Sequence, residues 1–169
     1  LELVAQAVLR ITGATDAVVE LDGVARACAG PGLCATGVQP VAQTPLWAAL
    51  QAGETVRCND TQAADGNGMP YPAPVRSVLV TPLRINATVA GALHATSAQT
   101  DAFSARHAAH LQILSESLGA LLHLRQVAAR LSASEQQYRL LFDAHPQPMW
   151  VYAFDDSLRI LAVNQATVA

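Results

Sequence analysis

The side chains that could carry out chemistry are few, and their spacing matches no catalytic motif. Cys28, Cys34 and Cys58 contain no CxxC pair, and the spacing of the first two is not a standard zinc-binding spacing. The odd count indicates reduced thiols in a cytosolic protein, with a redox or metal role for Cys28 and Cys34 as the alternative. His107 and His110 lie three residues apart at the start of a predicted helix, where a metal pair is conceivable and surface histidines are the commoner outcome.

Other reactive patterns are also missing from the sequence. It has no GxSxG motif, phosphate-binding loop or HExxH motif, so we predict that this chain is not an enzyme and holds no metal. Alternation along a predicted strand places His94 with Ala90, Ala92 and Thr96. A ligand or haem contact at His94 is one hypothesis, and a half-buried or exposed strand histidine is the default.

Charge and hydropathy exclude further classes. The net charge is −3 with no basic cluster, which argues against nucleic-acid binding. No apolar run reaches membrane-spanning length and no signal peptide is evident, so we predict a cytoplasmic location without direct membrane contact. The first residue is Leu1 rather than Met, which indicates a fragment of a longer protein.

The elements that must position these side chains follow from hydrophobic periodicity and turn residues. They are a helix over 3–11, a hairpin over 17–29 with its turn at Asp22-Gly23, a helix from Thr44-Pro45 to Gly53, a short strand at 55–58, strands at 75–83 and 88–97, and a helical run over 104–142. Sequentially neighbouring strands with segregated helices predict an α+β fold with an antiparallel sheet. The polar, proline-rich loop 59–74 is predicted to cover a site.

The helical run over 104–142 carries two apolar stripes. Ser104 is its predicted N-cap, and a continuous helix of this length would measure roughly 60 Å. The first stripe, which we expect to pack on its own domain, consists of Leu111, Leu114, Leu118 and Leu121. The second, which predicts a parallel pair with another copy of the chain, consists of Leu124, Val127, Leu131, Tyr138 and Leu141, with Ser134 also facing inward. The alternative is a break at 132–134, since Ser132-x-x-Glu135 fits a capping box.

The same order of elements resembles a GAF domain, a ligand-sensing module of signalling proteins. The resemblance rests on residues 15–23, 56–61, 75–83 and 89–93 and on Phe103-Ser104, and it covers about residues 1–125. It implies a GAF-like antiparallel sheet with helices on its faces, followed by a connector helix at 126–143.

Residues 144–169 are predicted to begin a second, incomplete domain. Together with residues 135–143, they resemble the start of a PAS domain, through residues 135–146, 148–152 and 159–166 with Asn164. A lone hairpin is marginally stable in water, so we expect this segment to be frayed or to be ordered by packing on another copy.

The GAF resemblance reduces the number of candidate ligand classes without identifying the ligand. The NKxxF pattern of cyclic-nucleotide-binding members is missing, and no cysteine precedes a histidine as in bilin-binding members, so both cofactors are argued against. The candidate ligand-binding residues are Arg57, Asn59, Asp60, Tyr71, Arg76, Ser77 and His94. Arg57 and Arg76 could hold an anionic or polar ligand. Alternatively, Asp60 caps a turn and Arg76 pairs with a surface acid.

These observations predict a sensory module of a cytoplasmic signalling protein. A small-ligand or redox state would pass through a homodimeric connector helix to an output domain, which the resemblance implies is a histidine kinase or a cyclic-di-GMP cyclase or phosphodiesterase. One alternative is a ligand-free dimerisation spacer. The other is a GAF-type methionine sulfoxide reductase, which would need cysteines near the pocket.

Overall fold

The structure, a computed structural model, describes residues 1–32, 39–63, 71–154 and 159–168. Cys34 and residues 64–70 of the predicted covering loop lie outside the described residues, so the predictions made for them stay predictions. The chain divides into two compact units, Leu1–His123 and Leu124–Ala169. In the described ranges, no helix combines the length and the apolar character needed to cross a membrane.

The first unit is a five-stranded antiparallel sheet with helices. Its elements are α1 (Glu2–Thr12), β1 (Asp16–Leu21), β2 (Val24–Ala29), a 3-10 helix (Val41–Gln43), α2 (Trp47–Gln51), β3 (Val56–Cys58), β4 (Ser77–Ile85), β5 (Thr88–Ser97) and the first part of α3 (Ala105–Asp143). The strand order is β2-β1-β5-β4-β3, and every neighbouring pair is antiparallel. The predicted α+β fold is therefore confirmed.

The β1–β2 hairpin turns where the sequence predicts it. Asp22 has φ 53° and Gly23 has φ 72°, so both central residues have the positive φ of a two-residue hairpin turn. Alternation along β1 then directs Ala17 and Val19 to one face of the sheet, where they join the core beneath α1 and α3. Glu20 consequently points to the opposite face.

Helix α3 is fixed to the sheet by polar contacts as well as by its apolar stripe. The Ser104 hydroxyl accepts a hydrogen bond from the His107 amide at 3.3 Å, which confirms the predicted N-cap. Ser115 Oγ donates to the Pro82 carbonyl oxygen at 2.7 Å in a buried position. Gly119 lies where an added Cβ would overlap the Arg84 carbonyl oxygen, so only glycine allows this approach.

The first apolar stripe differs from the prediction at its last position. Leu111 and Leu118 are buried and Leu114 packs beside them, but Leu121 is 54% exposed. Leu122 contacts the core instead. The reason is helical periodicity. With 3.6 residues per turn, Leu122, four residues after Leu118, lies closer to the buried side of the helix than Leu121, three residues after it.

The second unit contains the rest of α3 and a two-stranded sheet. The helix is continuous through residues 132–134, as the single-helix prediction required. Strands β6 (Trp150–Tyr152) and β7 (Ile160–Val163) pair antiparallel, and α4 (Gln165–Val168) follows. Asn164 is 1% exposed, and its side-chain amide donates to the carbonyl oxygens of His145 and Gln147.

Candidate functional site

The sheet face opposite α1 and α3 has a polar centre. Glu20 on β1 is 3% exposed and His94 on β5 is 1% exposed. His94 Nε2 lies 3.3 Å from Glu20 Oε2, a distance suited to an ion pair, although the atoms are not aligned as a hydrogen bond. The default prediction of a half-buried or exposed His94 was therefore wrong. The prediction failed because β5 is a central strand that is covered on both faces.

Two separate segments cover the Glu20–His94 pair, and each is hydrogen-bonded to it. The Val41 amide, in the 3-10 helix, donates to both carboxylate oxygens of Glu20 at 3.1 Å. The Tyr71 hydroxyl lies 2.8 Å from His94 Nδ1, and the two rings meet edge to face with centroids 6.2 Å apart. An imidazole protonated at Nε2 suits both contacts, since Nδ1 then accepts from the phenol and Nε2–H faces the carboxylate.

The electrostatics support the phenol as the donor. Burial of the Tyr71 hydroxyl, and secondarily the negative charge of Glu20, raise the pKa of Tyr71 far above its usual value of 10.0. Tyr71 therefore stays protonated at neutral pH. Its hydroxyl can then donate continuously to His94 Nδ1, which holds the covering segment over the pair.

A cavity of about 210 Å³ adjoins Glu20, the acidic member of the pair. It is lined by Glu20, Asp22, Gly23, Val41, Ala42, Trp47, Val89, Ala90 and Gly91. Gly91 lies against the backbone of Glu20 in the neighbouring strand, where a Cβ would overlap the Glu20 carbonyl oxygen. The cavity thus combines carboxylates, an indole and bare backbone, which are groups able to contact a small ligand.

A second cavity, of about 170 Å³, lies at the other end of the same strands. Most of its lining is apolar and includes Pro31, Pro72 and Pro74. Asp16 also lines it, and its carboxylate accepts a hydrogen bond from the Gly32 amide at 2.6 Å. This contact ties the loop after β2 to the start of β1.

Among the sequence-predicted site residues, Tyr71 and His94 are in direct contact and Asp60 and Arg76 form a pair. Asp60 and Arg76 are joined by two hydrogen bonds, of 2.7 and 3.0 Å. Asp60 Oδ1 also accepts from the Gln62 amide, which caps the turn. Hydrogen bonding to Arg76, followed by the Gln62 amide, holds the pKa of Asp60 below its usual 3.8. These contacts agree with a capping and pairing role for Asp60 and Arg76.

The other predicted residues contact neighbouring chain segments. Arg57 Nη1 donates to the Phe103 carbonyl oxygen at 3.2 Å, and Ser77 Oγ donates to that of Gln99 at 2.7 Å. The Asn59 carbonyl oxygen accepts from the Asp101 amide. None of the seven predicted ligand-binding residues, Tyr71 and His94 included, is among the lining residues of these two cavities. Their role in ligand binding stays a prediction.

Sequence reasoning missed Glu20, Asp22 and Trp47, which all line the cavity beside the pair. A signal for Glu20 was present. It stands in a strand whose neighbouring residues are apolar on both faces, and such a run is typical of a strand covered on both sides. For Asp22 the sequence signals only a turn, and for Trp47 it signals only the apolar face of a short helix.

The described thiols pack against the same apolar cluster as Tyr71. Cys28 and Cys58 are half-buried free cysteines on β2 and β3, the two edge strands of the sheet. His107 Nδ1 accepts from the Ser104 amide and its ring meets Phe103 edge to face. Within the described ranges, no group of three or more His, Cys, Asp or Glu residues is arranged to hold a metal ion.

Comparisons with known proteins agree with this architecture. The sequence profile of the GAF domain family matches residues 1–123. No curated protein sequence matches the chain. The second GAF domain of DevS from Mycobacterium smegmatis is 25% identical, with a TM-score of 0.58 over 77% of this chain and 95% of that one.

Two further solved structures share the fold at lower identity. The blue-light absorbing form of the Thermosynechococcus elongatus PixJ GAF domain is 19% identical, with a TM-score of 0.58 over 78% of this chain and 90% of that one. A type II free methionine-R-sulfoxide reductase from Thermoplasma acidophilum is 16% identical, with a TM-score of 0.59 over 72% of this chain and 89% of that one. At such identities the likeness concerns the fold alone.

Proposed function

This chain belongs to the GAF domain family, a sensory and regulatory fold of signalling proteins, and on that premise we propose that it senses a small ligand in the cavity beside Glu20 and His94. The observation that carries the proposal is the buried pair itself. A spacer would gain more stability from apolar residues at the centre of this face, because burying a carboxylate and an imidazole carries a desolvation cost. A polar centre beside a cavity, beneath two hydrogen-bonded covers, is suited to ligand recognition.

A route from the cavity to α3 supports the regulatory part of the proposal. Gly91 on β5 lines the cavity, and Ala92 next to it pairs with Pro82 on β4. The Pro82 carbonyl oxygen accepts the hydrogen bond from Ser115 on α3. A ligand that moves β5 would therefore also displace β4, the strand to which α3 is hydrogen-bonded. The ligand can shift the equilibrium between two arrangements of the helix only by the difference between its binding free energies for them.

We propose that the second unit passes this change onward through a homodimer. The exposed stripe of α3 would form the parallel helix pair, and its members are Leu124, Val127, Leu131, Tyr138 and Leu141. Residues 144–169 would begin a PAS domain, and an output domain beyond it would be a histidine kinase or a cyclic-di-GMP cyclase or phosphodiesterase. The exposure of these apolar residues along one side of α3 supports this proposal, because such a surface favours a partner.

A thermal-shift screen with small metabolites tests the ligand proposal. A compound that raises the melting temperature of the wild-type chain but not that of Glu20→Gln supports a sensor. Arg26→Gln is the control, since Arg26 is exposed on β2 and does not line the cavity. A screen without any stabilising compound would favour the alternative of a ligand-free dimerisation spacer.

The reductase alternative depends on cysteines. Cys28 and Cys58 lie on opposite edges of the five-stranded sheet, roughly 19 Å apart at four strand spacings, so they cannot form a disulfide in this fold. Cys34 lies outside the described residues. Reduction of free methionine sulfoxide by the purified chain, lost in Cys28→Ser or Cys34→Ser, would establish the enzyme and replace the sensor proposal.

A further inference from the structure

The charge of the cavity beside Glu20 indicates the chemical class of its ligand. Two acids, Glu20 and Asp22, line it, and no arginine or lysine stands among its lining residues in the part of the chain that the structure describes. The sequence contains no lysine at all. Even if His94 carries a proton, the sum of Glu20, Asp22 and His94 is one negative charge. An anionic ligand would therefore be repelled.

The hydrogen bonding of Glu20 is also incomplete. A carboxylate offers about four acceptor positions, yet the Val41 amide is shared between both oxygens of Glu20. The imidazole stands at 3.3 Å without hydrogen-bond alignment, and His94 Nε2 has no hydrogen-bond partner among the described residues. Buried polar groups of this kind are normally satisfied. A cation in the cavity, even one without an N–H group, would offset the negative charge that these contacts leave on Glu20.

The indole and the size of the cavity narrow the class further. Trp47 lines the same cavity, and an indole face attracts alkylammonium groups more strongly than neutral alkyl groups. The volume of about 210 Å³ is below the roughly 300 Å³ at which ordinary ligand pockets begin, which suits a ligand of few heavy atoms.

We infer that this cavity binds a small organic cation, an alkylammonium compound about the size of choline, between the carboxylates of Glu20 and Asp22 and the indole of Trp47. The inference rests on the proposed sensory function and names its ligand class. The ammonium would lie against the two carboxylates and the ring. Tyr71 and Val41 would keep water from the buried pair while the cation is bound.

Isothermal titration calorimetry on the full chain tests this inference, with choline and tetramethylammonium as probes. The neutral isostere 3,3-dimethylbutan-1-ol, which has carbon in place of nitrogen, is the control ligand. We expect choline to bind in the millimolar range or more tightly and the neutral compound to bind about tenfold more weakly. Equal binding of the two, or no binding of either cation at millimolar concentration, would overturn the inference.

Variants locate the site. Asp22→Asn keeps a residue that tolerates positive φ and should weaken choline binding several-fold, as should Trp47→Leu. Asp101→Asn is the matched control, because Asp101 is also exposed at φ 53° but lies outside the cavity, and its affinity should equal that of the wild type. Glu20→Gln should have the largest effect. If Glu20→Gln does not fold, the choline affinities of Asp22→Asn and Trp47→Leu still test whether the cation binds in this cavity.

The result is separable from the proposed function. If the metabolite screen gives an anionic or neutral ligand that requires Glu20 or Trp47 while choline and tetramethylammonium fail, the cation inference is wrong and the sensor proposal stands. If calcium binds and the organic cations do not, the inference is also wrong. If nothing binds in either experiment, both are wrong and the spacer remains.

Discussion

At the scale of residues, Glu20 and His94 form an acid–imidazole contact inside a sheet–helix sandwich whose other central residues are mainly apolar. The contact distance of 3.3 Å and the near-complete burial of both side chains make the pair sensitive to any change in its neighbours. Those neighbours are Val41 and Tyr71, from separate segments of the chain. The chemistry of this site therefore depends on whether both covers are in place.

Tyr71→Phe should lower the free energy of unfolding by about 1–3 kcal/mol at neutral pH, because it removes the donor to His94 Nδ1 and leaves that nitrogen unsatisfied. The substitution should also change how the free energy of unfolding depends on pH in the alkaline range. The pKa of Tyr71 is raised in the fold, so its contribution is complete below the ordinary pKa of 10.0 and is lost as pH rises above it.

Urea unfolding at pH values on both sides of 10.0 measures this effect. The wild type should lose stability above that pH more steeply than Tyr71→Phe. Tyr138→Phe is the control, since Tyr138 is 61% exposed and lacks this burial. Parallel pH profiles for the wild type and Tyr71→Phe would contradict the buried hydrogen bond.

Arg76→Gln should raise the pKa of Asp60 toward its usual 3.8, since Arg76 is the main cause of the lowering. Because the pKa of Asp60 is lowered in the folded state, the pair stabilises the fold above pH 3.8. This stabilisation is lost as the pH falls through the lower pKa of the folded state. An NMR titration of the Asp60 carboxyl carbon measures the shift. Arg26→Gln should leave the Asp60 titration unchanged, and an unchanged titration in Arg76→Gln would refute the pairing.

At the scale of elements, the attachment of α3 to β4 depends on Gly119 and Ser115. Gly119→Ala should destabilise the first unit by about 1–3 kcal/mol despite the better helix propensity of alanine, because the new Cβ overlaps the Arg84 carbonyl oxygen. Thermal unfolding followed by circular dichroism measures it. Ala120→Ser adds one heavy atom at the next, exposed position and should cost less than about 0.5 kcal/mol. Equal melting temperatures for the two variants would show that α3 does not approach β4 this closely.

The sequence predicted the elements of this fold well because each is encoded locally. The β1–β2 turn follows from Asp22-Gly23, and the N-cap of α3 follows from Ser104. The sequence could not show which face of α3 meets the sheet near Leu121 and Leu122, because several leucines there fit a helical stripe. That choice depends on the close approach at Gly119, a tertiary contact.

The site was harder to predict than the fold. Its polar centre joins β1, β5, a 3-10 helix and a loop, so the contacts between Glu20, His94 and Tyr71 span positions far apart in the chain. Tyr71 and His94 could be proposed from the loop and the strand they occupy. Glu20 could not be connected to them without the β1–β5 register, in which Val18 pairs with His94 and Glu20 lies two residues further along the same face.

At the scale of the whole molecule, the exposed stripe of the second unit predicts concentration-dependent association. Leu131 is 61% exposed and Leu124 is 65% exposed, at inward positions of a proposed helix pair. Leu131→Glu should therefore weaken the dimer at least about tenfold, because two buried charges would face each other. Sedimentation equilibrium measures the dissociation constant.

Ala129→Glu provides the control for this experiment, because residue 129 lies on the opposite side of α3 from the stripe and is exposed. It should leave the dissociation constant unchanged. A wild-type chain that remains monomeric at all concentrations tested would exclude the helix pair.

The two covers over Glu20 and His94 have a consequence for solvent exchange. Because Val41 and Tyr71 contact the same pair from segments distant in sequence, release of Tyr71 should loosen the amide of Val41 without any direct bond between them. Deuterium uptake at that one amide then reports the opening of a loop elsewhere in the chain. Glu20 accepts a hydrogen bond from Val41 and contacts His94, which Tyr71 holds, so the two covering segments should open together.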